Sequence, residues 1–463
     1  MTVPTAATNG TDTPAHFTMT EAEVIAKFPN RLRGYDLFKK LGSPRHVVAP
    51  MVDQSELAWR LLSRKYAADL CYTPMFHAKL FSDENPKYRN EQWQTCDEEK
   101  PVVVQFCAND PDTLLKAAQL VAGDADAVDL NLGCPQHIAR RGHYGSFLME
   151  DWDLISRLIR KLHENLEIPV IAKIRVFPEV EKTVAYAKMV EAAGAQIIAV
   201  HGRLREQKGH KTGLADWSKI KAVKEAVSVP VFANGNILYY EDIQRCLDAT
   251  TADGVMSAET NLYNPALFSG KILPTWQMAE EYLEICEKYP TKFSIIRAHM
   301  FKLFKYSLPI HTDLRQKLAE TRTMEEFSVF VAEMKERLLA DAAKDEEWDP
   351  ENVKVDEFGY RKYPHWICQP ALRFEHDKEH SQSKKLLNEA KSSIETASKT
   401  EEAVVENTEP KAEEPVAENT EPKEESETKC SDAAECDAKR QVESDALESD
   451  AKRQKNEDTA SLP

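Results

Sequence analysis

The sequence predicts an α/β chain: a closed (β/α)8 barrel of the TIM-barrel type, then an all-helical domain, then a disordered tail. Three observations carry this. Between His46 and Glu259, eight short and nearly continuous apolar runs alternate with segments whose apolar residues recur at three and four, the helical period. Strands that are apolar throughout belong to a parallel sheet covered by helices on its outside. After Leu273 the strand signal stops and only helical periodicity remains, and from His376 onward even that gives way to repeated polar strings. Eight repeats in roughly 220 residues fit a barrel, whose usual size is about 250 residues. An open doubly wound sheet is disfavoured, because no G-x-G-x-x-G follows the first run.

Taken in order, residues 1–25 form a flexible leader. It opens MTVPTAATNGTDTPAHF, without the apolar core of a secretion signal and with no arginine before Arg31 to mark a transit peptide. The barrel domain is expected over 26–273. Its runs are HVVAPM (from His46), DLCYTPM (Asp69), PVVVQFC (Pro101), AVDLNLGCP (Ala127), PVIAKIRVF (Pro169), QIIAVHGR (Gln196), PVFANGN (Pro230) and DGVMSAE (Asp253). Amphipathic segments such as ELAWRLLSRKY and VEKTVAYAKMVEAAGA lie between them. The helical domain, 274–375, is read from WQMAEEYLEICEKY, SIIRAHMFKLFKYSL and MEEFSVFVAEMKERLL. The tail, 376–463, repeats ENTEPK and DAKRQ and has too few aromatic and branched residues to offset the entropy of ordering.

The net charge of −17 divides unevenly: the tail holds 24 acids against 13 bases, leaving 53 against 47 before it. A local basic face for a polyanion is therefore permitted. Nine cysteines lie scattered with no C-x-x-C pair, so neither a zinc site nor a disulfide framework is suggested by them, and no metal is expected. With no long apolar run, the chain reads as a protein of the cytoplasm or nucleus without membrane attachment, acting as a monomer.

In such a barrel the chemistry sits at the carboxyl ends of the strands, where the loops converge. Those ends supply Pro50-Met51, Met75, Gln105, Asn131 with Cys134, Lys173 with Arg175, His201 with Arg203, Asn234-Gly235-Asn236, and Ala258-Glu259. Singly, Lys173 reads as a surface lysine, His201 as a structural histidine and Cys134 as a small buried residue. Six polar positions in register around one rim argue for a site.

APM, VQFCAND, DLNLGCPQ, AKIRVF, VHGR and FANGNI resemble, in order and spacing, the tRNA-dihydrouridine synthase family of flavoenzymes, from His46 to about Phe268. TPMFHAKLF and NLYNPALF are similar to its eukaryotic branch acting on positions 16 and 17 of the D-loop. The resemblance implies an oxidoreductase that binds FMN, is reduced by NADPH or NADH, and converts uridine in tRNA to dihydrouridine. It implies Cys134 as the acid that protonates C5; a free thiol, with a pKa of about 8.5, is mostly protonated at neutral pH. Pro50, Met51 and Val52 are expected to seat the flavin, Gln105 to bond its polar edge through both amide ends, and Lys173 and His201 to face its pyrimidine side. Asn234, Gly235 and Asn236, with Ala258 and Glu259, are expected near its phosphate. Many relatives have Gly-Arg where this chain has Ala258-Glu259. Arg203 or Arg175 is a candidate for the missing charge. Arg140, Arg141, His143 and Tyr144 are candidates for gripping RNA beside the Cys134 loop, and Arg297, His299, Lys302 and Lys305 on the helical domain. The alternatives are a flavin barrel acting on a free pyrimidine, as in dihydroorotate dehydrogenase, which leaves the helical domain without a task, and an RNA-binding protein that has lost activity.

Overall fold

The structure, a computed structural model, describes residues 18–357 and 359–372. Each of the eight apolar runs contains one parallel strand: β1 (His46–Val48), β2 (Leu70–Tyr72), β3 (Val102–Cys107), β4 (Ala127–Leu132), β5 (Val170–Arg175), β6 (Ile198–His201), β7 (Val231–Asn234) and β8 (Gly254–Ser257). Sequential neighbours pair, and β8 returns to β1, so the sheet closes as a barrel. A ninth strand of two residues, Phe76–His77, lies beside β3.

Strand side chains alternate between faces, so each strand gives one parity to the interior. Val47, Tyr72, Val103, Ile171, Phe232 and Met256 fill the lower interior, and the helix Gly34–Lys40 closes it from below with Leu37 and Phe38. Two residues further along, the same parity turns polar: Gln105 opposite Asp129, and His201 opposite Asn234, with Lys173 between these pairs on β5. The other parity, including Val104, Val128, Ala172 and Val200, packs outward on the helices. Burying one such aliphatic side chain stabilises by about 1.5–3 kcal/mol.

The expected leader, 1–25, is described only from residue 18. Residues 1–17 lie outside the described residues, and a helix, Glu21–Lys27, begins inside it. Thr20 and Glu23 form a reciprocal capping box, Val24 is buried, and the helix docks on the barrel helix Trp152–Asn165 through Glu21 on His163 (2.8 Å) and Lys27 on the Glu164 carbonyl (2.7 Å). The expected tail, 376–463, also lies outside the described residues.

After Pro274 come four helices of nine residues or more, Thr275–Lys288, Phe293–Leu303, Thr312–Glu320 and Met324–Ala342. They share a core with Trp59 and Leu62 of the helix Leu57–Lys65 that follows β1. One polar cluster joins the two regions. Glu56 accepts from the Tyr282 hydroxyl (2.6 Å) and meets His299 Nε2 (3.0 Å), while the His299 ring stacks on Trp59 at 3.9 Å. His299 is therefore not an RNA-facing cation: it is fully buried at this junction. Arg297 donates to the Thr321 carbonyl, and Lys302 is half-buried. Lys305 is exposed, its ammonium 5.2 Å from the Tyr263 ring. Among the described residues no helix is long and apolar enough to cross a membrane.

Candidate active site

The polar parity of β3 and β4 builds a ladder that ends at Cys134. The Gln105 amide donates to Asp129 Oδ2 (2.7 Å) and accepts from Asn131 (2.8 Å). Asn131 Oδ1 in turn accepts from the backbone N–H groups of Gly133 (3.1 Å) and Cys134 (2.8 Å). The Cys134 carbonyl is held by the Ser146 N–H and hydroxyl, both at 3.0 Å. From the far side, Arg175 Nε donates to the Gly133 carbonyl and Lys208 to the Pro135 carbonyl, each at 2.7 Å. The loop that presents the thiol is thus fixed from three strands. Burial pushes the Cys134 thiol pKa up, against a weaker pull from the Gln136 amide and the cations Arg175, Lys173 and Lys208. The thiol stays protonated at neutral pH.

A cavity of about 320 Å³ opens across the ends of β5 to β8. His201, Asn234, Gly235, Asn236, Ala258 and Glu259 line it, with Pro135 and Gln136 beside Cys134 on one side and Ala371 and Leu372 on another. Lys173 lies beneath and donates to Asn234 Oδ1 at 2.9 Å. Burial, helped by Arg175 and opposed by Asp129 and Cys134, brings its pKa down to about 8. An Arg203 nitrogen lies 3.1 Å from His201 Nε2. A guanidinium only donates, so Nε2 is the acceptor and the imidazole proton sits on Nδ1. Burial and the cations Arg175, Lys173 and Arg203 hold this histidine's pKa well below its ordinary value, so it is neutral. Gly235 has a φ of +116°, and a Cβ there would lie 2.6 Å from that of Ala215. Only glycine lets the backbone line the cavity at this point. The Asn236 side chain bonds both backbone groups of Ala215, at 2.9 and 2.8 Å, and so fixes that turn.

Six of the twelve expected site positions therefore share the cavity wall. Cys134 adjoins it through Pro135, and Lys173 and Gln105 form the layer below. Gln105 gives one bond from each amide end to the Asp129 to Asn131 ladder, which leaves one N–H and one carbonyl lone pair for a ligand. Pro50, Met51 and Val52 end β1 but do not line the cavity. Met51 packs into both the barrel and the helical cores, and Val52 is exposed. Glu259 opens the short helix Glu259–Tyr263, is exposed, and acts on Lys302 by its charge. In the Cys134 loop Arg140, Arg141 and His143 are exposed, whereas Tyr144 is buried in a cluster with Cys107.

Three contributors escaped the sequence reading. Asp129 is fully buried, its pKa pushed up to about 7 by burial against the Gln105 hydrogen bond and Lys173. Its Oδ1 has no partner among the described residues. The alternation in DLNLGCP held the signal, since Asp129 and Asn131 share the parity of the interior. The segment from Gln207 to Leu214, and Ala371 with Leu372, carry no motif.

Residues 47–347 match the family described as Dihydrouridine synthase (Dus). A mouse protein named "tRNA-dihydrouridine(16/17) synthase [NAD(P)(+)]-like" is 50% identical over 376 residues, 80% of this chain and 78% of that one. The "tRNA-dihydrouridine(16/17) synthase [NAD(P)(+)]" of Saccharomyces cerevisiae is 50% identical over 372 residues, 74% of this chain and 87% of the yeast protein. The protein of the same name from Schizosaccharomyces pombe is 49% identical over 365 residues, 74% of this chain and 91% of that one.

Proposed function

The chain belongs to the dihydrouridine synthase family, and from that premise we propose that it reduces uridine to 5,6-dihydrouridine at positions 16 and 17 of the tRNA D-loop, with FMN at the barrel mouth and NAD(P)H as reductant. The observation that carries this reading is a protonated thiol, Cys134, on a fixed loop beside a cavity walled by cations. That cavity suits an anionic planar cofactor: about 320 Å³ is within the common range of about 300–1,000 Å³ for such sites. Lys173 and the Nδ1–H of His201 would hold the side of the ring where a reduced pyrimidine gathers negative charge. The backbone at Gly235 and Ala258, with Arg203, is the seat for the phosphate. Bound FMN, once reduced, supplies the hydride that reaches C6 of the uracil.

The chain's own residues do the rest. A uracil must leave the tRNA stack to reach this mouth, at a cost of a few kcal/mol that pocket contacts offset. Cys134 Sγ gives its proton to C5, which completes the addition of two hydrogens across the C5–C6 bond, and the thiolate recovers a proton from solvent. Lys173 and Arg175 stabilise that thiolate briefly. The test is to map dihydrouridine in tRNA from cells lacking the protein. Loss confined to positions 16 and 17 supports the reading, and unchanged modification there overturns it.

Gly145 is needed for this geometry. Its φ is +64°, and an added Cβ would sit 2.8 Å from the Cys134 carbonyl oxygen and 3.0 Å from the Cys134 Cβ. Gly145→Ala is expected to displace the thiol and cut dihydrouridine formation at least tenfold while the flavin absorbance is kept; an unchanged turnover would show that the loop tolerates the shift. We also propose that the helical region grips tRNA, with Lys305 on its exposed face. Phosphate contacts release counterions, so Lys305→Ala should lower the salt slope of tRNA binding by about one, read by titration at several salt concentrations. An unaltered slope removes Lys305 from the interface.

A further inference from the structure

Outside the barrel mouth, three segments of the helical region meet at two imidazoles and one carboxylate. His311 precedes the helix Thr312–Glu320, Asp341 lies in the last turn of Met324–Ala342, and His365 belongs to the C-terminal segment. Asp341 Oδ2 is 2.9 Å from His311 Nε2 and 3.6 Å from His365 Nε2, and the three atoms lie within 4.8 Å of one another. Lys344 takes the other oxygen, Oδ1, at 3.4 Å.

The proton inventory at His365 is the informative part. The Ser307 hydroxyl has one proton, and it is committed to the His365 carbonyl at 2.8 Å. The 3.4 Å contact between Ser307 Oγ and His365 Nδ1 then has Nδ1–H as its donor. In the neutral ring Nε2 therefore carries a lone pair and faces the lone pairs of a carboxylate oxygen. Two acceptors 3.6 Å apart call for a cation between them, a proton or a metal ion. A histidine that ligates a metal through one nitrogen and donates from the other to a hydroxyl or carbonyl is the usual outer-shell arrangement.

We propose that His311 Nε2, His365 Nε2 and Asp341 Oδ2 bind one zinc ion, with the fourth position open to the cleft beside Asp345 and Trp366. Nitrogen and carboxylate donors together suit zinc, whereas magnesium and calcium take oxygen sets. With zinc bonds of about 2.0–2.2 Å, tetrahedral ligand atoms stand about 3.4 Å apart, and the observed 2.9 and 3.6 Å bracket that value. The metal joins the C-terminal segment to two helices. That segment runs from His365 through Ile367, paired with Pro274, to Ala371 and Leu372 in the cavity wall. Zinc thus holds in place a strap that reaches the mouth.

The full-length protein, purified without a histidine tag and dialysed against metal-free buffer, is titrated with zinc chloride against a chromophoric competitor. One zinc per chain is expected. His311→Ala, His365→Gln and Asp341→Asn should each weaken that binding at least tenfold while the flavin absorbance stays normal. For a variant that does not fold, the wild type gives the answer: zinc should protect His311 and His365 from acylation by diethyl pyrocarbonate, read by mass spectrometry. Zinc binding that survives all three substitutions, no stoichiometric zinc, or equal acylation with and without zinc would overturn the proposal and leave an imidazole and carboxylate cluster only.

Discussion

Cys134→Ala is expected to keep its flavin and to oxidise NADPH at a nearly normal rate, while forming dihydrouridine in tRNA about a hundredfold to ten-thousandfold more slowly. Positioned acids contribute that range of rate. The groups assigned to the cofactor come from β5 to β8, whereas the thiol comes from the loop after β4, so removing it leaves their contacts in place. Delivery of hydride to C6 leaves negative charge at C5, and without Sγ the proton must come from water or a more distant group. The pH dependence follows from the raised thiol pKa. The acid form predominates below that pKa, so the rate of proton delivery stays level through neutral pH and falls only as pH rises through the raised value. Rapid mixing of enzyme, NADPH and tRNA separates cofactor reduction from uridine reduction. Equal rates of uridine reduction in variant and wild type would take Cys134 out of the mechanism.

A second large effect is expected at the junction between the barrel and the helical region. His299→Ala leaves the buried Glu56 carboxylate with the Tyr282 hydroxyl as its remaining side-chain partner and strips the stacked ring from Trp59. Removing one partner of a buried pair typically destabilises by about 3–5 kcal/mol. The pH dependence should move as well. Burial raises the Glu56 pKa, but the charge and hydrogen bond of His299, with the bond from Tyr282, outweigh it and leave the pKa lowered. A carboxyl depressed on folding adds stability above its unfolded pKa and loses it as pH falls through the folded one. Without His299 burial dominates, the folded pKa rises above the unfolded one and the sign reverses: the variant's deficit is greatest at neutral pH and shrinks as pH falls through the raised pKa and the carboxyl takes up a proton. Denaturant titrations of both proteins between neutral and mildly acidic pH measure this. A difference below about 1 kcal/mol would mean that the cluster is incidental to the junction.

These two residues show what the chain reveals before it is folded. The position of Cys134 at the mouth was legible because every barrel strand is a short apolar run whose last residues face the mouth, and DLNLGCP places a thiol just beyond one; its role as an acid came from the family resemblance alone. His299 was misread as an RNA-facing cation, although Ile296, His299, Met300 and Leu303 recur at the helical period and all four are buried. The stripe, not the residue type, held the answer. Pro50, Met51 and Val52 illustrate the opposite difficulty: they end β1 as expected, but whether a strand end joins the cavity depends on which loops lean over it. Ala371 and Leu372 reach that cavity from far along the chain, through pairing with Leu273 and Pro274 that no local pattern announces. The capping box at Thr20 and Glu23 is written in the chain as Thr-x-x-Glu, but the polar residues around it mask the short helix it starts.

The alternation within the barrel strands also bears on chain length. One parity of β4 carries Asp129 and Asn131 inward, and the other carries Val128 and Leu130 out to the helices. Inserting or deleting a single residue in that strand exchanges the two sets at once, placing carboxylate and amide against the aliphatic shell and aliphatic groups under Cys134. A point substitution there alters one contact. A shift in length reverses every contact beyond it, so such changes should be tolerated only in the connecting loops, where no parity is at stake.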